Sequence, residues 1–103
     1  MGKIEEAYCT YELTKLLMSK GFDSSLVKGT KPTHQLALSW VRSHGYSIEM
    51  QATAYGWVWR ICKVNGTDIC WSDDKGPNPG GAWDDYDECT EAALNYLLNV
   101  LYV

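Results

Sequence analysis

Four cysteines (Cys9, Cys62, Cys70 and Cys89) and two histidines (His34 and His44) are the side chains most able to carry chemistry in this chain. A zinc site is normally announced by paired ligands at short spacing. No CxxC pair is present, and the intervals from Cys9 to Cys62, Cys70 and Cys89 match no metal-ligand spacing, so no metal and no cofactor is expected. A thiol nucleophile needs a base held beside it. His34 falls in the first turn of an expected helix, where it reads as a surface residue, and His44 in the last turn, where an imidazolium complements the helix dipole. With no GxSxG, P-loop or GxGxxG motif, no catalytic residue is assigned and the chain is read as a non-enzyme. A deep pocket joining Cys9 or Cys89 to His34 is the observation that would reopen that reading. The acids Asp73, Asp74, Asp84, Asp85, Asp87 and Glu88 lack the alternation of a calcium loop and are assigned to turns and helix capping.

Cys62 and Cys70 flank Asn65-Gly66, a strong hairpin signal. A two-residue turn pairs Cys62 with Ile69 and puts the two thiols on opposite faces, whereas a three-residue loop opposes them directly. The two-residue turn is the expectation. All four cysteines are expected as free thiols, since they are widely spaced and the N-terminus has no signal-peptide apolar core. With no apolar run long enough to span a bilayer, a cytoplasmic chain without membrane contact is expected.

The elements that must position these residues follow from periodicity and punctuation. Thr10 caps a helix to about Lys20 with Leu13, Leu16 and Leu17 on one stripe and Gly21 as its stop, and Phe22 packs back. Asp23 to Lys31 reads as a loop. Thr33 opens a second helix carrying Leu36, Ala37, Trp40 and Val41, with Gly45 just past its end. Tyr46, Ile48 and Met50 then alternate with polar residues as a strand with one buried face. A turn near Ala54-Tyr55-Gly56 leads to a strand from Trp57 to Val64, and a third runs from Thr67 to Trp71. Gly and Pro residues from Ser72 to Asp84 exclude regular structure, and Asp85 with Glu88 starts a last helix in the manner of a capping box. The expected fold is α+β: two N-terminal helices, a three-stranded antiparallel β-meander and a C-terminal helix, with the helices packed on one face of the sheet, forming a single domain over residues 1–103.

The chain carries a net charge of −4, 46% apolar residues and 13% aromatics, the last as five Trp, seven Tyr and one Phe. No basic stripe is present, which disfavours phosphate-driven nucleic-acid binding. If nucleic acid is bound, the contacts are Lys15, Lys20, Lys28 and Lys31, which lie close in sequence. Trp57, Trp59 and Ile61 share one strand face, and Val58, Arg60 and Cys62 the other. The tryptophans are therefore either core or, as Trp57, Trp59, Trp71 and Trp83, an exposed aromatic surface for a protein partner or a second copy of the chain.

The runs Tyr8-Cys9-Thr10-Tyr11-Glu12-Leu13 with Leu16-Leu17 and Lys20-Gly21-Phe22, Thr33-His34-Gln35-Leu36-Ala37-Leu38 with Trp40-Val41-Arg42, Gly56-Trp57-Val58-Trp59, and Tyr86-Asp87-Glu88-Cys89 with Glu91-Ala92-Ala93 resemble short uncharacterised proteins of gut Bacteroidales genomes, their phages and mobile elements. That resemblance implies the same layout and a bacterial or phage setting, and it carries no activity or site residue. The stretch from Ser72 to Asp84 is longer than the connection the resemblance leads one to expect. The functional expectation is a small non-enzymatic interaction module or accessory protein, with nucleic-acid binding as the alternative.

Overall fold

The structure is a computed structural model that describes residues 8–22, 31–64, 70–72 and 75–101, with Cys70, Trp71 and Leu101 described in their backbone alone. Its elements run α1 (Tyr11–Ser19), α2 (His34–Ser43), β1 (Tyr46–Thr53), β2 (Gly56–Lys63), β3 (Cys70–Trp71) and α3 (Tyr86–Tyr96), the last continued by a π-helical turn, Leu97–Leu101. The architecture is α+β with an antiparallel sheet. The three-stranded meander expected from the pattern is realised mainly as a hairpin of two eight-residue strands. Of the third strand, Cys70–Trp71 pairs with β2, and residues 67–69 of its expected span lie outside the described residues. Among the described residues, no helix is long and apolar enough to cross a membrane.

Local chemistry sets the element boundaries. Thr10 and Thr33 sit in extended conformation, and their hydroxyls accept hydrogen bonds from Leu13 and Leu36 amides, satisfying donors that the first helical turn leaves without partners. At the far end of α2, Gly45 takes a φ of 91°, a left-handed conformation that lets the chain leave the helix and start β1. Asp85 caps α3 by accepting from the Asp87 amide.

β1 and β2 pair without interruption from Tyr46 opposite Lys63 to Thr53 opposite Gly56. Period-two geometry therefore puts Tyr46, Ile48 and Met50 on the same face as Trp57, Trp59 and Ile61. That face meets the helices: Trp59 and Ile61 join Leu13 and Leu17 of α1, Ala37, Leu38 and Val41 of α2, and Cys89, Ala93 and Leu94 of α3 in one core. α3 packs across β2 and touches both α1 and α2. The opposite face carries Ser47, Glu49, Gln51 and Thr53 on β1 with Val58, Arg60 and Cys62 on β2, and Glu49, Gln51, Thr53 and Arg60 there are exposed.

Two expectations about the connections are corrected. The register opposes Cys62 to Cys70, not to Ile69, so the pairing is that of the longer turn; the turn residues themselves lie outside the described residues. The Gly-Pro stretch does contain regular structure, a 3-10 turn at Pro79–Gly81. The stretch folds on itself through Gly76 N–H to Gly81 O, Asn78 N–H to Ala82 O and Gly81 N–H to Asn78 O. Asn78 ties it to the first hairpin by donating to the Tyr55 carbonyl and to Asp84, both at 2.7 Å. Trp83 then pairs backbone to backbone with Trp57 at 2.7 and 2.8 Å. This close approach explains glycine at position 56, where a Cβ would stand 2.2 Å from the Trp83 carbonyl oxygen.

Candidate functional site

The backbones that lead into α1 and α2 lie side by side. Tyr8 and Thr33 form an antiparallel bridge, and the Cys9 amide donates to the Pro32 carbonyl at 2.9 Å. This pairing brings two helix N-termini together, and α3 supplies the group that joins them. One Glu91 oxygen accepts from the Thr10 hydroxyl at 2.9 Å; the other accepts from the Thr10 amide at 3.2 Å and lies 2.6 Å from Nε2 of His34. A carboxylate at helix N-termini is electrostatically favoured. Cys9 completes the group: its sulfur, an imidazole nitrogen of His34 and a carboxylate oxygen of Glu91 all lie within 4.8 Å of one another.

The cluster is buried. His34 is only 5% exposed, which corrects its assignment to the surface, and Cys9 is 1% exposed. The first turn of α2 faces α3 instead of solvent because the paired cap strands turn the helix start inward. Burial raises the Glu91 carboxyl, but the hydrogen bonds from His34 and Thr10 outweigh that and hold it below its ordinary value. Burial, and secondarily the Glu91 charge, push the Cys9 thiol up to about 12. A thiol so placed stays protonated at neutral pH, and its sulfur is closed to an incoming substrate. As a Cys-His-Glu set the cluster has the residue types of a nucleophilic triad, but Cys9 lacks the thiolate character and the access a nucleophile needs. What remains chemically open to it is a structural tie or the ligation of a cation.

His34 has one unusual feature. Its Nδ1 is buried without a hydrogen-bond partner, and the nearest acid, Asp87 Oδ1, stands 3.7 Å away. Asp87 itself is half exposed. Among the acids read as turn and cap residues, Asp85 does cap α3, Asp84 accepts from Asn78, and Asp73 and Asp74 lie outside the described residues.

Of the expected aromatic surface, Trp59 drops out among the described residues. Trp59 is buried in the core, so it cannot serve as an interaction residue, and the side chain of Trp71 lies outside the described residues. Trp57 and Trp83 are half-buried against the core, Trp57 meeting Tyr86 edge-on at 4.9 Å. Among the described residues, the exposed aromatics are tyrosines: Tyr8 and Tyr11 before and on α1, Tyr55 at the hairpin tip and Tyr86 at the start of α3. Of the four lysines, Lys15 and Lys31 are exposed and Lys20 is half-buried, while Lys28 lies outside the described residues. Lys15 lies over the Tyr11 ring at 5.3 Å.

The cysteines are of two kinds. Cys9 and Cys89 are buried thiols, as expected of small core residues. Cys62 is disulfide-bonded, against the expectation of thiols throughout, and the residue directly across the ladder from it is Cys70.

The open sheet face carries a cleft of about 480 Å³ lined by Glu49, Gln51, Val58, Arg60 and Gly80. An exposed ion pair crosses it, Arg60 to Glu49 at 2.9 Å. β1 forms one edge of the sheet, and among the described residues no backbone pairs with its outer side.

Glu91 is the site residue that sequence reasoning missed. It lies 57 residues from His34, and only the folded arrangement of three helices brings them together. A faint signal was present in the two Thr caps at 10 and 33, each next to a cysteine or histidine. Comparison with protein-family models, with curated proteins and with solved structures finds no match to this chain, so its function has to be argued from this geometry.

Proposed function

We propose that this chain is a non-enzymatic interaction module that uses the outer edge of β1 to add its sheet to that of a second copy. The observation that carries the proposal is the edge itself: eight residues in unbroken register, Tyr46–Thr53, with an unpaired outer side among the described residues. Such a strand presents about 27 Å of hydrogen-bonding backbone. Sheets usually protect an edge with lysine, proline or a bulge. β1 has no lysine and no proline, its register is unbulged, and Glu49 is its only charged residue.

A second copy fits the pattern of side chains. A twofold axis perpendicular to the sheet keeps Tyr46, Ile48 and Met50 on the helix side of both copies, and Ser47, Glu49 and Gln51 on the open side, so neither apolar row is turned to water. This replaces the aromatic patch as the basis for an interaction role, because the open face is polar apart from Val58 and Cys62. The bacterial or phage setting implied by the resemblance fits an accessory role of this kind. A cytoplasmic setting stands in tension with the Cys62 disulfide, since cytosolic thiols are kept reduced.

Light scattering at two concentrations tests the proposal. The expected mass is that of a dimer, and Gln51→Lys, which adds a cation to the edge, is expected to shift it towards monomer. A chain that is monomeric at both concentrations overturns the proposal. A monomer whose mass rises with single-stranded or duplex oligonucleotide at low salt would move the function to nucleic acid and to Lys15, Lys20 and Lys31.

A further inference from the structure

We propose that Cys9, His34 and Glu91 form a binding site for a divalent transition-metal ion of the zinc class. The donor set is the first argument. One sulfur, one imidazole nitrogen and one carboxylate oxygen are the three ligand types zinc takes, and three protein ligands with one further position is a recurring arrangement. The three come from the segment leading into α1, from the start of α2 and from α3, and lie within 4.8 Å of one another.

The dimensions are compatible. Zinc bonds of about 2.0–2.3 Å put the corners of a tetrahedron roughly 3.3–3.7 Å apart. An ion seated between the ligands opens the 2.6 Å contact of His34 Nε2 with Glu91 by about 1 Å, and the sulfur, already within 4.8 Å of the other two ligand atoms, adjusts to its bond length. Both movements are within reach of side-chain rotation.

The second argument is the Nδ1 atom of His34, which is buried without a hydrogen bond. When Nε2 carries the imidazole proton and donates it to Glu91, Nδ1 is a lone pair facing the Asp87 carboxylate across 3.7 Å. An ion on Nε2 reverses this, because the proton then resides on Nδ1 and points at Asp87. Metal-bound histidines habitually give their other N–H to a carboxylate, and ligating carboxylates are themselves hydrogen-bonded. Asp87 fills the first outer role and Thr10, through its amide and hydroxyl on Glu91, fills the second.

Charge is the third argument. A thiolate and a carboxylate around a dication sum to zero, so the loaded site can be buried without an uncompensated charge. The site is independent of the β1 edge, and either proposal can fail alone.

Titration of the metal-free full chain with Co2+ is the test. The expected result is one ion per chain, with a thiolate-to-cobalt charge-transfer band in the near ultraviolet that Zn2+ bleaches. Cys9→Ser abolishes the band and Cys89→Ser keeps it. Asp87→Asn, at a half-exposed position, is expected to leave the metal-free protein folded and to weaken Co2+ roughly 10–100-fold. If Cys9→Ser does not fold, the band and the Asp87→Asn affinity still decide. No thiolate band together with no rise in melting temperature on adding Zn2+ overturns the proposal, and so does a band that survives Cys9→Ser in folded protein. In either case the cluster is a hydrogen-bonded strut between helices.

Discussion

Two side-chain pairs of nearly equal length lie at opposite ends of the solvent scale. His34 meets Glu91 at 2.6 Å with side chains 6% and 17% exposed, and Arg60 meets Glu49 at 2.9 Å with side chains 59% and 61% exposed. The first is surrounded by three helices and has its remaining acceptor positions filled by Thr10; the second lies across two strands under water. Distance alone ranks them as equivalents, but the physics of their surroundings does not. Breaking a buried pair leaves a polar group that cannot return to water, whereas each partner of an exposed pair is simply rehydrated. The helical side of the molecule is therefore where polar residues specify the fold, and the open face is where they are spare.

The largest effect expected from this contrast belongs to Glu91→Ala. It removes the acceptor for the Thr10 amide, the Thr10 hydroxyl and His34 Nε2 together, and leaves the buried imidazole without a hydrogen bond on either nitrogen. The expected loss is about 3–5 kcal/mol. For a chain of this size that corresponds to a fall in Tm on the order of 20 °C, read by circular dichroism at neutral pH. A loss no larger than that of an exposed pair would mean that water reaches the cluster, and the contrast between the two regions would collapse.

The pH dependence sharpens the same contrast. The folded Cys9 thiol is pushed up to about 12 from an ordinary 9.0, so its contribution is fully present below pH 9.0. Above 9.0 the unfolded chain ionises the thiol and the folded chain does not, and stability is lost as pH rises towards 12, by up to about 1.4 kcal/mol per pH unit. Glu91 acts in the other direction: its folded carboxyl titrates below the ordinary 4.5, so its contribution is present above 4.5 and is lost as pH falls through the folded value. Urea denaturation of wild type and Cys9→Ala over the first unit above 9.0 checks the alkaline limb. The variant should lose less stability there than wild type; parallel curves would show that the thiol is solvated.

Much of the frame was legible in residue order, because helix caps are local chemistry. Thr10, Thr33 and Gly45 are read from a few neighbouring residues and occupy the positions expected of them. The period-two alternation from Tyr46 to Met50 also survives as one half-buried face of β1. Long-range chemistry was not legible. His34 looked exposed because a first-turn histidine usually is, and nothing within a helix's length of it announces that Tyr8 and Thr33 pair and bury the turn. The 62–70 register failed for a related reason: Asn-Gly favours a two-residue turn locally, but the ladder fixed by β2 places Cys62 opposite Cys70. The Gly-Pro stretch was misread because its order comes from Asn78 and Trp83 reaching back to the first hairpin, contacts that no turn propensity contains.

The smallest expected effect is that of Arg60→Ala, and its smallness is what completes the comparison. Arg60 and Glu49 are directly opposed on antiparallel strands, a geometry in which an ion pair adds a little to the sheet. Both side chains are more than half exposed, so the attraction acts through water and is offset by the entropy of holding two long side chains together. The expected loss is below about 1 kcal/mol, and it should shrink further as salt is added, because the Debye length falls to about 3 Å at 1 M. Melting curves of wild type and Arg60→Ala at low and high salt read both quantities. Convergence of the two curves at high salt confirms a solvated pair. A deficit that persists in salt would show that Arg60 does more than pair with Glu49: it also shields the cleft that it lines with Gln51, Val58 and Gly80, and the open face would then have a structured interior of its own.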